Sequence, residues 1–204
     1  MTDDSADRPT LALFGGSFNP PHLAHLAVAE AVADAVGLDQ VCWMPAATPP
    51  HKQDDPTLAS AEHRLAMARL AVEGNPRFVV SDLELRRGGT SYTVDTLRQL
   101  RAERPDTDLY LIVGGDSLVD FPTWREPEAI LGLARLLVYQ RPGSDEAAVA
   151  PAIRARTTLV EAPLLDLSGT MLRARIAAGR TVRYLVPEAV RAYIEAHGLY
   201  RHEA

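Results

Sequence analysis

Cysteine is nearly absent: Cys42 is the one thiol in 204 residues. An internal disulfide framework is therefore excluded, as is a zinc site built from cysteines. The expectation is a reducing, cytoplasmic setting with Cys42 as a small buried hydrophobe. Positive charge is also scarce. Lys and Arg number 21 against 27 Asp and Glu, a formal charge of −6. A general nucleic-acid or anionic-membrane binder carries the opposite excess, so neither partner is expected, while a small basic pocket stays compatible. Long apolar runs are missing too. Arg135 interrupts residues 129–138, well short of the ~18 residues that a spanning helix needs. Residues 1–9 are acidic and polar, without the basic-then-apolar order of a secretory signal. They read as a loose tail ahead of a single domain over 10–204. No repeat or low-complexity tract interrupts that domain. A chain of this length buries roughly 70% of its unfolded surface and needs no staple.

What is present is an alternation. Apolar runs at 10–14, 40–44, 77–85, 109–113, 133–139 and 157–161 read as strands. Amphipathic or capped stretches at 23–36, 60–73, 92–103, 147–156, 170–178 and 187–196 read as helices, with Ser60 as a cap and Gly37 as a stop. Strands alternating with helices predict an α/β fold: a doubly wound, mostly parallel sheet with helices on both faces. The last two helices form a small C-terminal helical extension. Such sheets bind ligands at the carboxyl ends of strands, near a topological switch point. The unusual residues of this chain cluster after predicted strands.

The first such cluster is Gly15-Gly16-Ser17-Phe18-Asn19-Pro20-Pro21-His22-Leu23-Ala24-His25. It is neither a Walker A loop nor a GxGxxG fingerprint. Its small residues still let phosphates approach the backbone, and the following helix N-terminus offers N–H donors. His22 and His25, three apart, can face one ligand from the first helical turn. The bland alternative is an ordinary turn with two incidental histidines. A zinc pair needs a third ligand, and no carboxylate or cysteine lies at a characteristic spacing. Further on, Ser168-Gly169-Thr170-Met171-Leu172-Arg173 sets two hydroxyls at a helix start and a guanidinium one turn in. That arrangement suits phosphate oxygens, or simply caps a surface helix. Ser91-Tyr92-Thr93 opens another helix toward an anion. Asp116, after Gly114-Gly115 at a strand's carboxyl end, can accept ribose hydroxyls or cap a helix.

In this order the blocks resemble the nucleotidyltransferase superfamily with its (H/T)xGH and SxTxxR motifs, and within it the bacterial nicotinate mononucleotide adenylyltransferases. The likeness runs over residues 11–200. It takes in Pro49-Pro50-His51-Lys52, the stretch 87–97, Gly115-Asp116-Ser117-Leu118, Phe121-Pro122-Thr123-Trp124, Arg141-Pro142-Gly143 and Tyr184-Leu185-Val186-Pro187. The pattern is departed from at two single positions and in one short stretch. Ala24 replaces Gly between the histidines, Asn19 stands where Asp is common, and Ala46-Ala47 stand where some relatives carry Asn.

The resemblance implies a Rossmann-like fold and adenylyl transfer from ATP to nicotinic acid mononucleotide, giving nicotinic acid adenine dinucleotide and pyrophosphate. Mg²⁺ is expected to arrive on the ATP phosphates, with no protein ligand assigned. His22, His25 and Arg173 are the implied catalytic groups. Gly15, Gly16, Ser17, Phe18, Ser168 and Thr170 join them around ATP. His51, Lys52, Thr93, Asp116, Trp124 and Arg141 are expected around the mononucleotide. Backbone N–H near Thr93 would recognise the nicotinate carboxylate, Trp124 would stack on the pyridine, and the proline-rich loop carrying His51 and Lys52 would act as a lid. Three alternatives stay open: an enzyme preferring nicotinamide mononucleotide, another transferase of the superfamily, and a non-catalytic nucleotide-binding protein on the same fold. The oligomeric state is also open.

The remaining features read as structural. Trp43 is core. His63, His197 and His202 read as surface or helix-edge residues, and Glu62-His63-Arg64 as a solvated helix face.

Overall fold

The computed structural model describes residues 8–50, 55–139 and 150–201. Six strands form one sheet: β1 (Thr10–Gly16), β2 (Gln40–Pro45), β3 (Phe78–Val80), β4 (Asp108–Gly114), β5 (Arg135–Tyr139) and β6 (Thr157–Val160). Their order is β3-β2-β1-β4-β5-β6, and every neighbouring pair is parallel. The chain leaves β1 in one direction to build β2 and β3. It returns to the other side of β1 to build β4, β5 and β6. The switch point therefore lies between the carboxyl ends of β1 and β4, where an open parallel sheet forms its crevice.

Alternation along β1 sends Leu11 and Leu13 to one face and Ala12 and Phe14 to the other, as the two-residue period requires. Both faces are covered. On one, Leu13, Leu111 and Val113 pack with Leu97 of α4 (Thr93–Glu103) and Ile130 of α6 (Pro127–Leu133). On the other, Phe14 and Trp43 pack with Val28 and Val32 of α1 (Leu23–Val36). Cys42 is buried in the first face, and burial pushes its thiol up to about 11. A third cluster joins Met67 of α2 (Ala61–Val72) to Leu172 of α8 (Gly169–Ala177) and to Val190 and Ile194 of α9 (Glu188–Ala196). The C-terminal helices are thereby seated on α2. Among the described residues, no helix is long and apolar enough to cross a membrane.

Several expectations need correction. Residues 77–85 are strand only over β3. After Ser81 donates its N–H to the Trp43 carbonyl, the Ser81 hydroxyl accepts from Leu83 N–H and starts α3 (Leu83–Arg87). Residues 133–139 become strand only from Arg135, because α6 runs to Leu133 with Pro127 in its first turn. The strand expected over 109–113 extends through Gly114, which also caps α5 (Gly115–Asp120), a helix not expected there and followed by a 3-10 turn over Phe121–Thr123. Of the helix expected over 147–156, the described part is α7 (Pro151–Arg154).

Candidate active site

The crevice at the switch point is a cavity of about 630 Å³, lined by Gly15, Gly16, Ser17, His25, Thr93, Asp116 and Trp124 among others. That volume suits a nucleotide-sized ligand. The two glycines end β1. A side chain at Gly15 would meet nothing, so the backbone there is open to close approach. Phe18 follows with a left-handed φ of 46°. Its ring is buried against Phe14, Trp43 and His25. A base cannot stack on it; only the Phe18 backbone is left to face a nucleotide.

His22 is the N-cap of α1 and is buried. Its ring stacks on that of His25 with centroids 3.7 Å apart. The His22 backbone N–H donates to His25 Nδ1 at 3.2 Å. An accepting Nδ1 places the ring proton of neutral His25 on Nε2, which makes that nitrogen a donor. Leu23 N–H is taken by the Leu185 carbonyl at 3.0 Å, which docks the Tyr184-Leu185-Val186-Pro187 block on the start of α1.

Ser168 caps α8 by accepting from Met171 N–H at 3.2 Å. Arg173, one turn in, donates from Nη1 to the Asn19 carbonyl at 2.9 Å and from Nη2 to Thr170 Oγ1 at 3.4 Å. Its Nε is buried with no hydrogen-bond partner among the described residues. The second motif is thus fastened to the turn between β1 and α1. Across the crevice, Thr93 is the first residue of α4. Trp124 is half-buried against Phe121 and lines the cavity, so it is both wall and packing. Asp116 lies in the first turn of α5, whose N-cap is Gly114 rather than Asp116. Its carboxylate folds so close to Gly114 that a Cβ there would lie 2.5 Å from Oδ1. His51, Lys52 and Arg141 lie outside the described residues, as does His202.

Three polar residues at the site were not anticipated in these roles. Asn19 is buried, donating to the Thr57 carbonyl at 2.9 Å and accepting from Ala59 N–H and the Tyr200 hydroxyl. It is a joint between the motif turn, the approach to α2 and the C-terminus. Arg64 is not on a solvated face; it is 1% exposed, and its guanidinium sits beneath the loops after β1 and β2. A charge beside Glu62 and His63 gave no sign of that burial. Glu84 is buried at the cavity wall, accepting from Thr96 Oγ1 at 2.5 Å. Burial raises its carboxyl above the ordinary range, and hydrogen bonds from Ser91 and Thr96 oppose that. His63 is half-buried at the edge of α2, with Nδ1 3.0 Å from Tyr193 Oη and its ring 5.1 Å from that of His197.

On this 321456 parallel sheet, with a histidine-bearing helix start at its switch point, a family model described as cytidylyltransferase-like matches residues 13–175, and that match places the chain among the nucleotidyltransferases. The chain is 55% identical over 192 residues to a probable nicotinate-nucleotide adenylyltransferase of Salinibacter ruber, covering 94% of this chain and 98% of that protein. It is 51% identical over 196 residues to one of Roseiflexus sp., again covering 94% and 98%. The chain belongs to the nicotinate-nucleotide adenylyltransferase family. Its fold is shared with the Plasmodium falciparum nicotinic acid mononucleotide adenylyltransferase complexed with NaAD, at a TM-score of 0.77 and 18% identity, covering 94% and 97% of the two chains.

Proposed function

We propose that the chain transfers the adenylyl group of ATP to nicotinic acid mononucleotide. The 5′-phosphate oxygen attacks the α-phosphorus, the bond to the bridging oxygen breaks, and pyrophosphate leaves with nicotinic acid adenine dinucleotide as product. The nucleophile needs no base, because a phosphate monoester with a second pKa of ~6 is largely ionised at neutral pH. Catalysis is then positioning and charge stabilisation.

The observation that carries this reading is the fastening of Arg173 onto Asn19, three residues before the stacked His22–His25 pair. The Nε2 donor of His25 and the Arg173 guanidinium serve the α-phosphate and the departing pyrophosphate. His22 orients His25 from below. The backbone of Gly15, Gly16, Ser17 and Phe18 and the capped start of α8, with Ser168 and Thr170, receive the remaining phosphate and ribose oxygens. On the other side, the N-terminal turn of α4 at Thr93 receives the nicotinate carboxylate, Trp124 stacks on the pyridine, and Asp116 accepts ribose hydroxyls. His51, Lys52 and Arg141 are assigned to the mononucleotide by motif alone.

Among the described residues no three His, Cys, Asp or Glu side chains group together to hold a metal. Mg²⁺ is well served by phosphate and water oxygens, and bound to the triphosphate it would neutralise part of its charge.

The test is pyrophosphate release with ATP and either nicotinic acid or nicotinamide mononucleotide. The acid is expected to be strongly preferred. Equal use of both would remove the carboxylate role from Thr93, and release with neither would remove the reaction.

A further inference from the structure

Arg64 lies in the second turn of α2 with its side chain wholly inside the protein. Its guanidinium donates to four backbone carbonyls: Nε to Ala59 at 3.0 Å, Nη1 to Ser17 at 3.1 Å and Ala46 at 2.6 Å, and Nη2 to Ala47 at 2.9 Å. None of these acceptors is a carboxylate. Desolvation weakens its hold on the proton, with longer-range help from Tyr200, Glu62 and Glu84, yet guanidinium stays charged. Burying a cation this way is costly, so the four carbonyls must be held for a reason that apolar packing could not meet.

The sheet geometry supplies that reason. β1 and β2 are parallel neighbours, and the last bond between them runs from Ala46 N–H to the Gly16 carbonyl. Beyond it the two chains part around the crevice. The carbonyls of Ser17, Ala46 and Ala47 have lost their ladder, and Arg64 gathers all three. The connection continues across the cavity floor. Ala47 N–H donates to Ser91 Oγ at 2.9 Å, and Ser91 and Thr96 hydrogen-bond to the buried Glu84. One polar network thus joins the glycine turn to the loop that opens α4.

We propose that Arg64 is a positioning residue for adenylyl transfer: it fixes the turn after β1 against the loop after β2, and so sets the separation of the two reacting phosphates. The proposal rests on the reading above, in which the glycine turn holds ATP and the start of α4 holds the mononucleotide. Arg64 touches neither substrate. Its planar fork spans acceptors on three segments at once, which a lysine ammonium at a single point cannot do.

The experiment compares steady-state pyrophosphate release by wild type, Arg64→Lys and Arg64→Ala, with thermal unfolding of each and with millimolar guanidinium chloride added back. Wild-type turnover is measured first, and its absence would defeat the reaction rather than the role of Arg64. For Arg64→Ala, kcat is expected to fall by about 10²-fold, the usual consequence of an ångström-scale misplacement, and guanidinium is expected to restore part of it while leaving wild type unchanged. Arg64→Lys guards against a variant that does not fold; it should unfold near the wild-type temperature with kcat still strongly reduced. A folded Arg64→Lys or Arg64→Ala with wild-type kcat overturns the proposal. So does guanidinium that raises the unfolding temperature of Arg64→Ala without raising its kcat.

Discussion

Arg173 donates a hydrogen bond to the backbone carbonyl of Asn19 across 154 positions of sequence, at 2.9 Å. The two signature motifs are therefore one structure. The side chain of Asn19 extends the joint by accepting from the Tyr200 hydroxyl at 2.7 Å, which ties the last described turn of the chain to the first motif. A guanidinium proposed to meet phosphate gains from such a fixed point, because an untethered arginine loses much of its rotamer entropy each time it binds.

Gly169 is what lets the motifs approach so closely. A Cβ at this position would lie 2.8 Å from the Asn19 carbonyl oxygen and 3.3 Å from Arg173 Nη1. Backbone on one side leaves little room to yield. Gly169→Ala should push α8 away from the turn, lowering stability by about 1–3 kcal/mol as overpacking does. Turnover should fall further than stability accounts for, with kcat more affected than the KM for either substrate. Denaturant unfolding and steady-state kinetics on the same preparation check both parts.

His25 has one structural task and one proposed catalytic task, and substitution separates them. Nδ1 accepts the N–H of His22 and closes the start of α1. Nε2 carries the ring proton, on a residue that lines the crevice, and is the donor proposed for the phosphates. His25→Asn keeps a short polar side chain near the cap but withdraws the imidazole. Stability should fall by no more than about 1 kcal/mol, the usual worth of a cap. Turnover should fall by about 10²–10³, as when one preorganised donor is removed from a transition state. Equal losses in kcat and kcat/KM would identify an interaction made only in the transition state.

Much of this was legible in the residues. The bounds of α1 follow from its Ala-rich pattern between His22 and Gly37, and Ser60 and Ser168 cap the helices they precede. These signals are local, and local physics fixes them. What was hidden was decided by tertiary packing. Arg64 carries a charge in a polar-looking run, and nothing nearby announces that the loops after β1 and β2 will fold over it. Phe18 sits in a motif and reads equally as a ligand contact or as core, and only the structure, with its left-handed backbone and buried ring, decides for the core. Glu84 fell within an apparent strand, because Val79, Val80, Leu83 and Leu85 alternate tolerably in either period. The short helices α3, α5 and α6 were missed for the same reason: few turns carry little periodicity.

Glu84 also gives the fold a pH signature whose sign follows from its burial. Desolvation raises its carboxyl above the ordinary range, against the pull of Ser91, Thr96, Arg87 and Arg64. The folded state therefore prefers the protonated acid more than the unfolded chain does. The stability this contributes is fully present below the unfolded carboxyl value, ~4.3, and is lost as pH rises through the folded one. Glu84→Gln carries a neutral side chain at every pH and keeps an oxygen that can accept from Ser91 and Thr96. Its unfolding temperature relative to wild type should therefore shift in its favour as pH rises from about 4 to about 8, across the carboxyl range. Calorimetry at the two ends measures that difference. A difference independent of pH would mean that the hydrogen bonds and neighbouring arginines offset the desolvation in full, and that the buried carboxylate costs the fold nothing when charged.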